Sequence, residues 1–130
     1  MTETPFPAPV GVPRILLRLE GFAVLAAATV AYAASGQPWW LFAVLFFVPD
    51  VAMAAYLAGP RIGAVAYNAA HSYIGPAALG LAGYSSGRTS IAALSLIWLA
   101  HIGFDRALGY GLKYASGFGA THLGRIGRAR

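Results

Sequence analysis

The sequence predicts an all-α integral membrane protein, an up-and-down bundle of four transmembrane helices. Three observations carry that expectation. Hydrophobic residues make up 58% of the 130-residue chain and charged residues 10%, against about 45–50% and about 25% in soluble domains. Four stretches each match the roughly 20 apolar residues needed to cross a hydrocarbon core. Short, turn-rich pieces separate them, which forces neighbouring helices to run antiparallel. The mean hydropathy of +0.64 agrees. Lipid is the solvent this chain is built for.

The elements follow in order. Residues 1–14 open with "MTETPFPAPVGVP", too proline-rich for a helix, and read as a flexible arm. The spans are 15–34, 39–58, 62–82 and 89–108. Between them lie "SGQP", "GPR" and "GYSSGR", rich in residues that end one helix and permit the next. The first span resembles a signal peptide in its "AYA" at 31–33, but Glu20 inside the apolar region and three further spans argue against cleavage. Residues 109–130 are Gly-rich and basic, and read as a cytoplasmic surface tail rather than a fifth span.

Orientation follows from Lys and Arg. With four spans, both termini and the second connection share a side, which holds Arg14, Arg18, Arg61, Arg106, Lys113, Arg125, Arg128 and Arg130. The opposite side holds Arg88. Both ends should therefore face the cytoplasm, in an inner (plasma) membrane, and insertion both ways round is disfavoured. Trp39 and Trp40 fit an outer interfacial anchor where the second span begins. The net charge of +5 is spread over segment ends, so contact with anionic lipid at the tail is expected and nucleic-acid binding is not. Cysteine is absent, which excludes disulfides and thiolate metal sites.

Ionisable groups inside the spans cost about 2.5–3.5 kcal/mol each at mid-membrane and normally face protein. Counted from the cytoplasmic ends at about 1.5 Å per residue, Glu20, Asp50, Tyr67, Asn68, His71, His101 and Asp105 all fall roughly 5–14 Å deep. Each span thus donates at least one polar group to the same half, and the outer half is nearly bare. His101 and Asp105 share a helix face by their i,i+4 spacing, as do Tyr67 and His71. Asp50 follows Pro49, which removes a backbone donor and kinks a helix. One polar pocket formed by Glu20, Asp50, Tyr67, Asn68, His71, His101, Asp105 and Arg106 is expected.

Three uses of such a pocket stay open. The charges could simply pair with Arg18, Arg61 and Arg106 and clamp the helices, as buried ion pairs often do. Alternatively Glu20, Asp50, His71, His101 and Asp105 could ligate a divalent transition metal such as zinc, iron or manganese, or serve acid–base chemistry. In the metal case Tyr67, Asn68 and Arg106 would orient the ligands. The spacing contains no Glu-x-x-His pair of the di-iron bundles. Third, the carboxylates could couple solute transport to protons or cations, with Asp50 titrating, and four spans would then require a homo-oligomer. In the tail, Lys113 and His122 either anchor an interfacial segment alongside Tyr110, Tyr114 and Phe118, or form a lid over the cytoplasmic mouth. No phosphate-loop pattern accompanies the glycines.

The stretches "RLEG" (18–21), "VPD" (48–50), "AGPRIGAVAYNAAH" (58–71) and "HIGFDRALGYGLKYASGFGATHLGRIG" (101–127) resemble the DUF4260 family, small bacterial integral membrane proteins of unknown function. The resemblance runs from Arg14 onward. It implies a multi-pass bacterial membrane protein, and no activity or catalytic residue is carried over with it.

Overall fold

The computed structural model describes residues 10–113 and 120–125. Pro13 starts the first helix, α1 (Val12–Ser35), at a position where its missing N–H costs nothing. Gly36, in the left-handed region at φ 73°, ends it. The arm expected over residues 1–14 falls outside the described residues up to position 9, and α1 has begun by Val12. Tyr32 is fully buried near the end of α1. Its hydroxyl donates to the Pro38 carbonyl at 2.7 Å, and its ring packs on Trp39 and Phe42 at 5.2 and 5.1 Å.

The second crossing changes character midway. α2 (Trp39–Leu45) ends on an α-type bond from the Phe46 N–H to the Phe42 carbonyl, and the chain resumes with a tighter bond from Asp50 to Phe47. Pro49, between them, has no N–H to continue the α ladder. An eleven-residue 3₁₀ helix follows, Val48–Ala58. Runs of that length are uncommon and often mark function or strain. Here the run carries Asp50.

The third apolar stretch departs from the sequence reading. The continuous helix expected over 62–82 is two helices of 12 residues each, α3 (Pro60–His71) and α4 (Ile74–Ser85). Ser72 between them is extended, at φ −93° and ψ 152°. The cause is Pro76, whose ring would collide with the Ser72 carbonyl if the helix ran through. The break strands the last carbonyls of α3, and α5 (Thr89–Leu108) satisfies two of them. Trp98 Nε1 donates to the Ala70 carbonyl at 2.6 Å, and Arg106 Nη2 to the His71 carbonyl at 2.8 Å.

α5 is the centre of the molecule. It packs against α1 on one side and α4 on the other, and the 3₁₀ helix lies on α3. The α1–α5 crossing is close because Gly21 meets Gly103. A Cβ on Gly103 would stand 2.6 Å from the Gly21 carbonyl oxygen and 2.7 Å from the Leu25 nitrogen. Among the described residues, three segments are long and apolar enough to cross a membrane: Val12–Ser35, Trp39–Ala58 and Thr89–Leu108.

After α5 the chain does not lie out as a surface tail. Lys113, Thr121 and Leu123 are buried. A small hairpin of β1 (Ala120–Thr121) and β2 (Gly124–Arg125) pairs Thr121 with Lys113. Tyr114, Phe118, Arg128 and Arg130 lie outside the described residues.

Candidate metal centre

Four of the ionisable side chains singled out above converge. Asp50 comes from the start of the 3₁₀ helix, His71 from the last residue of α3, and His101 and Asp105 from one face of α5. The 3₁₀ helix therefore delivers one ligand, the end of α3 a second, and α5 two. His71 Nε2 lies 3.2 Å from Asp50 Oδ1, 3.4 Å from Asp105 Oδ2 and 3.1 Å from His101 Nε2. His101 Nε2 lies 3.2 Å from Asp50 Oδ1 and 3.3 Å from Asp105 Oδ2. All four atoms are within 4.8 Å of one another. A tetrahedron with bonds of about 2.0 Å, as zinc forms with imidazole and carboxylate, has edges of about 3.3 Å. Five edges of this cluster fit that value.

The protonation chemistry points the same way. His71 Nδ1 is 2.9 Å from the Tyr67 carbonyl, an acceptor, so Nδ1 carries the proton of the neutral ring. Its Nε2 lone pair then faces two carboxylate oxygens and a second imidazole. That lone pair is met by a metal ion, by an added proton, or by an Nε2–H of His101 in its other neutral tautomer. Both imidazoles are buried, while the Asp105 side chain is 11% exposed and that of Asp50 is 34% exposed. Asp50 is thus the open side of the cluster.

Surrounding groups hold the ligands in place. The Tyr67 ring stacks flat on His71, with centroids 3.7 Å apart and planes 5° from parallel. Phe46 meets His101 edge-on at 5.2 Å. Nδ1 of His101 is buried without a well-aligned hydrogen bond, although the Phe46 carbonyl acts on the ring. Asn68 makes no contact with the ligands. Its amide instead grips the returning chain, with Nδ2 donating to the Lys113 carbonyl at 2.8 Å and the Lys113 N–H donating to Oδ1 at 2.6 Å. Lys113 Nζ lies 4.7 Å above the Tyr67 ring. His122 ties the hairpin to the chain leaving α5, its Nδ1 accepting from the Leu112 N–H at 2.8 Å.

Two expectations are corrected. Glu20 is not in the pocket; it is exposed on α1, which contributes no ligand. The arginine clamp is also absent from the described residues. Arg18 donates to the Ala107 carbonyl and Arg106 to the carbonyls of His71 and Tyr110, while Asp50 and Asp105 pair with imidazoles. Trp98 and Phe46 escaped the sequence reading because an aromatic residue in an apolar helix carries no signal of its partner. Pro76 was legible in "IGPAALG" as a breaker.

The family model described as "Domain of unknown function (DUF4260)" matches residues 14–126. The chain belongs to that family. Its matched region contains every residue of the cluster and the small hairpin. No curated protein and no solved structure matches the chain.

Proposed function

We propose that this DUF4260 protein is a multi-pass inner-membrane protein that holds one divalent metal ion, zinc before iron or manganese, at Asp50, His71, His101 and Asp105. The observation that carries the reading is a set of two nitrogen and two oxygen atoms with five of its six separations at 3.1–3.4 Å and all within 4.8 Å. Two neutral imidazoles and two carboxylates balance a dication, and the mixed donor set suits borderline metals. In this reading the chain crosses four times, with the third crossing split between α3 and α4, and both termini lie in the cytoplasm. Irregular backbone at membrane depth is tolerated where it is buried in protein or lines a cavity. The Trp98 and Arg106 donors meet that condition at the end of α3.

When bound, the ion would supply Lewis acidity at a dry site. The protein's part is to hold His71 in one tautomer through the Tyr67 carbonyl, keep water off the imidazoles with the lid, and leave one approach beside Asp50. Elemental analysis of the detergent-purified chain tests this. About one metal per chain is expected, falling to background in both His71→Ala and His101→Ala. A folded wild type without metal after reconstitution with zinc, iron and manganese salts would sink the reading.

A second reading is a divalent-cation carrier, favoured by one observation: Asp50 sits on a 3₁₀ helix and His71 ends α3 at a chain break, as at the ion sites of discontinuous transporter helices. Flux of zinc into proteoliposomes, compared with Asp50→Asn, separates it from a resident metal.

A further inference from the structure

An apolar groove of about 330 Å³ lies between the 3₁₀ helix, the end of α3, α4 and α5. Its inner end is formed by residues adjoining three of the ligands. Pro49 precedes Asp50, Ala70 precedes His71, and Ile97 and Trp98 lie one turn before His101. Leu79 of α4 and Leu94 of α5 extend it outward. Ala70 of α3 and Leu79 of α4, on either side of the break at Ser72, both line it. Ligand sites in proteins commonly pair such an apolar wall with a few convergent polar groups, in volumes of about 300–1,000 Å³.

We propose that this groove binds the chain of a fatty carboxylate, with the carboxylate at the metal beside Asp50. The inference rests on the metal reading above. Four features select this ligand over a soluble one. The lining is apolar along its length, so a polar solute would lose its hydration without replacement. Val44, Val48, Val51 and Leu81, on the helices that wall the groove, are exposed, which places its mouth on an apolar outer face. The volume holds roughly ten methylenes at about 30 Å³ for each small group. At the inner end a cation flanked by the half-open Asp50 offers the one place where a negatively charged oxygen can be received. An amphiphile with a single tail meets all four.

The experiment uses the full chain in lipid nanodiscs, loaded with zinc and assayed for metal first. A photoreactive dodecanoic acid, with its reactive group at the tail end, is crosslinked and mapped by mass spectrometry. Labelling is expected on the groove wall around Leu79 and Leu94, reduced about tenfold by Ala52→Phe or Leu79→Trp, which fill the groove away from the ligands. Both variants should keep their metal, and whichever folds suffices. Removing the metal by chelation should also reduce labelling about tenfold. Labelling spread over the outer face, or unchanged by filling the groove or by chelation, overturns the proposal. A wild type that carries no metal before the probe is added overturns the metal reading itself, so the two failures are told apart.

Discussion

The ε-nitrogens of His71 and His101 stand 3.1 Å apart, and both are in reach of the same oxygen of Asp50 and the same oxygen of Asp105. Two rings 30 positions apart are brought nitrogen to nitrogen by the end of one helix and the middle of another. A hydrogen bond uses one proton between two atoms, whereas this cluster brings two imidazole nitrogens and two carboxylate oxygens to one point. Removing a bound ion should therefore destabilise the fold. A ligand present at a hundred times its dissociation constant contributes about 2.7 kcal/mol. Chelation is expected to lower the melting temperature by roughly 11 °C, at about 4 °C per kcal/mol for a chain of this length. Replacement with cobalt should give the intense visible absorption of a tetrahedral site. A melting temperature indifferent to chelation would count against a structural contribution from the metal.

The two carboxylates should not be equivalent. Asp105 is buried on α5, in register with His101, while Asp50 is 34% exposed on the 3₁₀ helix. Water can substitute for a ligand at an open position far more readily than at a closed one. Competition with a chromophoric chelator should show Asp50→Asn weakening zinc by about tenfold and Asp105→Asn by about 100-fold, the scale on which ligand-supporting groups act. The reverse order would mean that the open side lies elsewhere.

Trp98→Phe tests how the broken third crossing is held. The Ala70 carbonyl loses its indole donor, and an unsatisfied buried acceptor costs about 1–3 kcal/mol. Because Ala70 precedes His71, the variant should also bind zinc more weakly by about tenfold. Thermal unfolding and chelator competition on one preparation read both effects. Loss of stability with unchanged zinc affinity would show that the ligand is held by Tyr67 and Arg106 alone.

Much of this was legible in the sequence, for physical reasons that also explain the gaps. The helical, apolar character of the chain follows from composition and length. Depth counting places Asp50, His71, His101 and Asp105 at one level because helical rise is constant. It places Glu20 there equally well, since depth says nothing about rotation around the helix axis. α1 turns that residue outward and spends its inner face on the Gly21–Gly103 crossing. The split of the third crossing follows from one proline inside an apolar run, where hydropathy outvotes backbone chemistry. The small hairpin was least legible, because Asn68 recognises the backbone of Lys113 and a backbone partner leaves no trace in residue type.

The Gly21–Gly103 crossing should tolerate almost nothing. A Cβ on Gly103 meets backbone atoms of α1 rather than a side chain that can rotate away. Overpacking of this kind costs about 1–3 kcal/mol. Gly103→Ala should lower the melting temperature in detergent, and Gly103→Val more so. Since Gly103 lies between His101 and Asp105, zinc affinity should fall in the same order. An unchanged melting temperature would mean the two helices separate without cost.

The lid should close more firmly as pH rises, in two steps. Burial pushes the Lys113 ammonium down to about 8, with the charge of Asp105 opposing the shift. Between about 8 and the usual 10.5 the open chain holds a proton that the closed lid lacks, so closure strengthens with pH there. Burial, and then the charge of Arg106, also hold His122 below its ordinary 6.5. Its neutral Nδ1 accepts the Leu112 N–H, so acidification through 6.5 and below favours the open chain, which takes up the proton first. Each step carries at most one proton, or about 1.4 kcal/mol per pH unit. Hydrogen exchange at the Leu112 and Lys113 amides should therefore slow, after correction for intrinsic rates, across both windows. Lys113→Met should remove the alkaline step and His122→Gln the acid one. Corrected exchange that stays flat with pH in the wild type would show that neither group is buried in solution as it is in this structure.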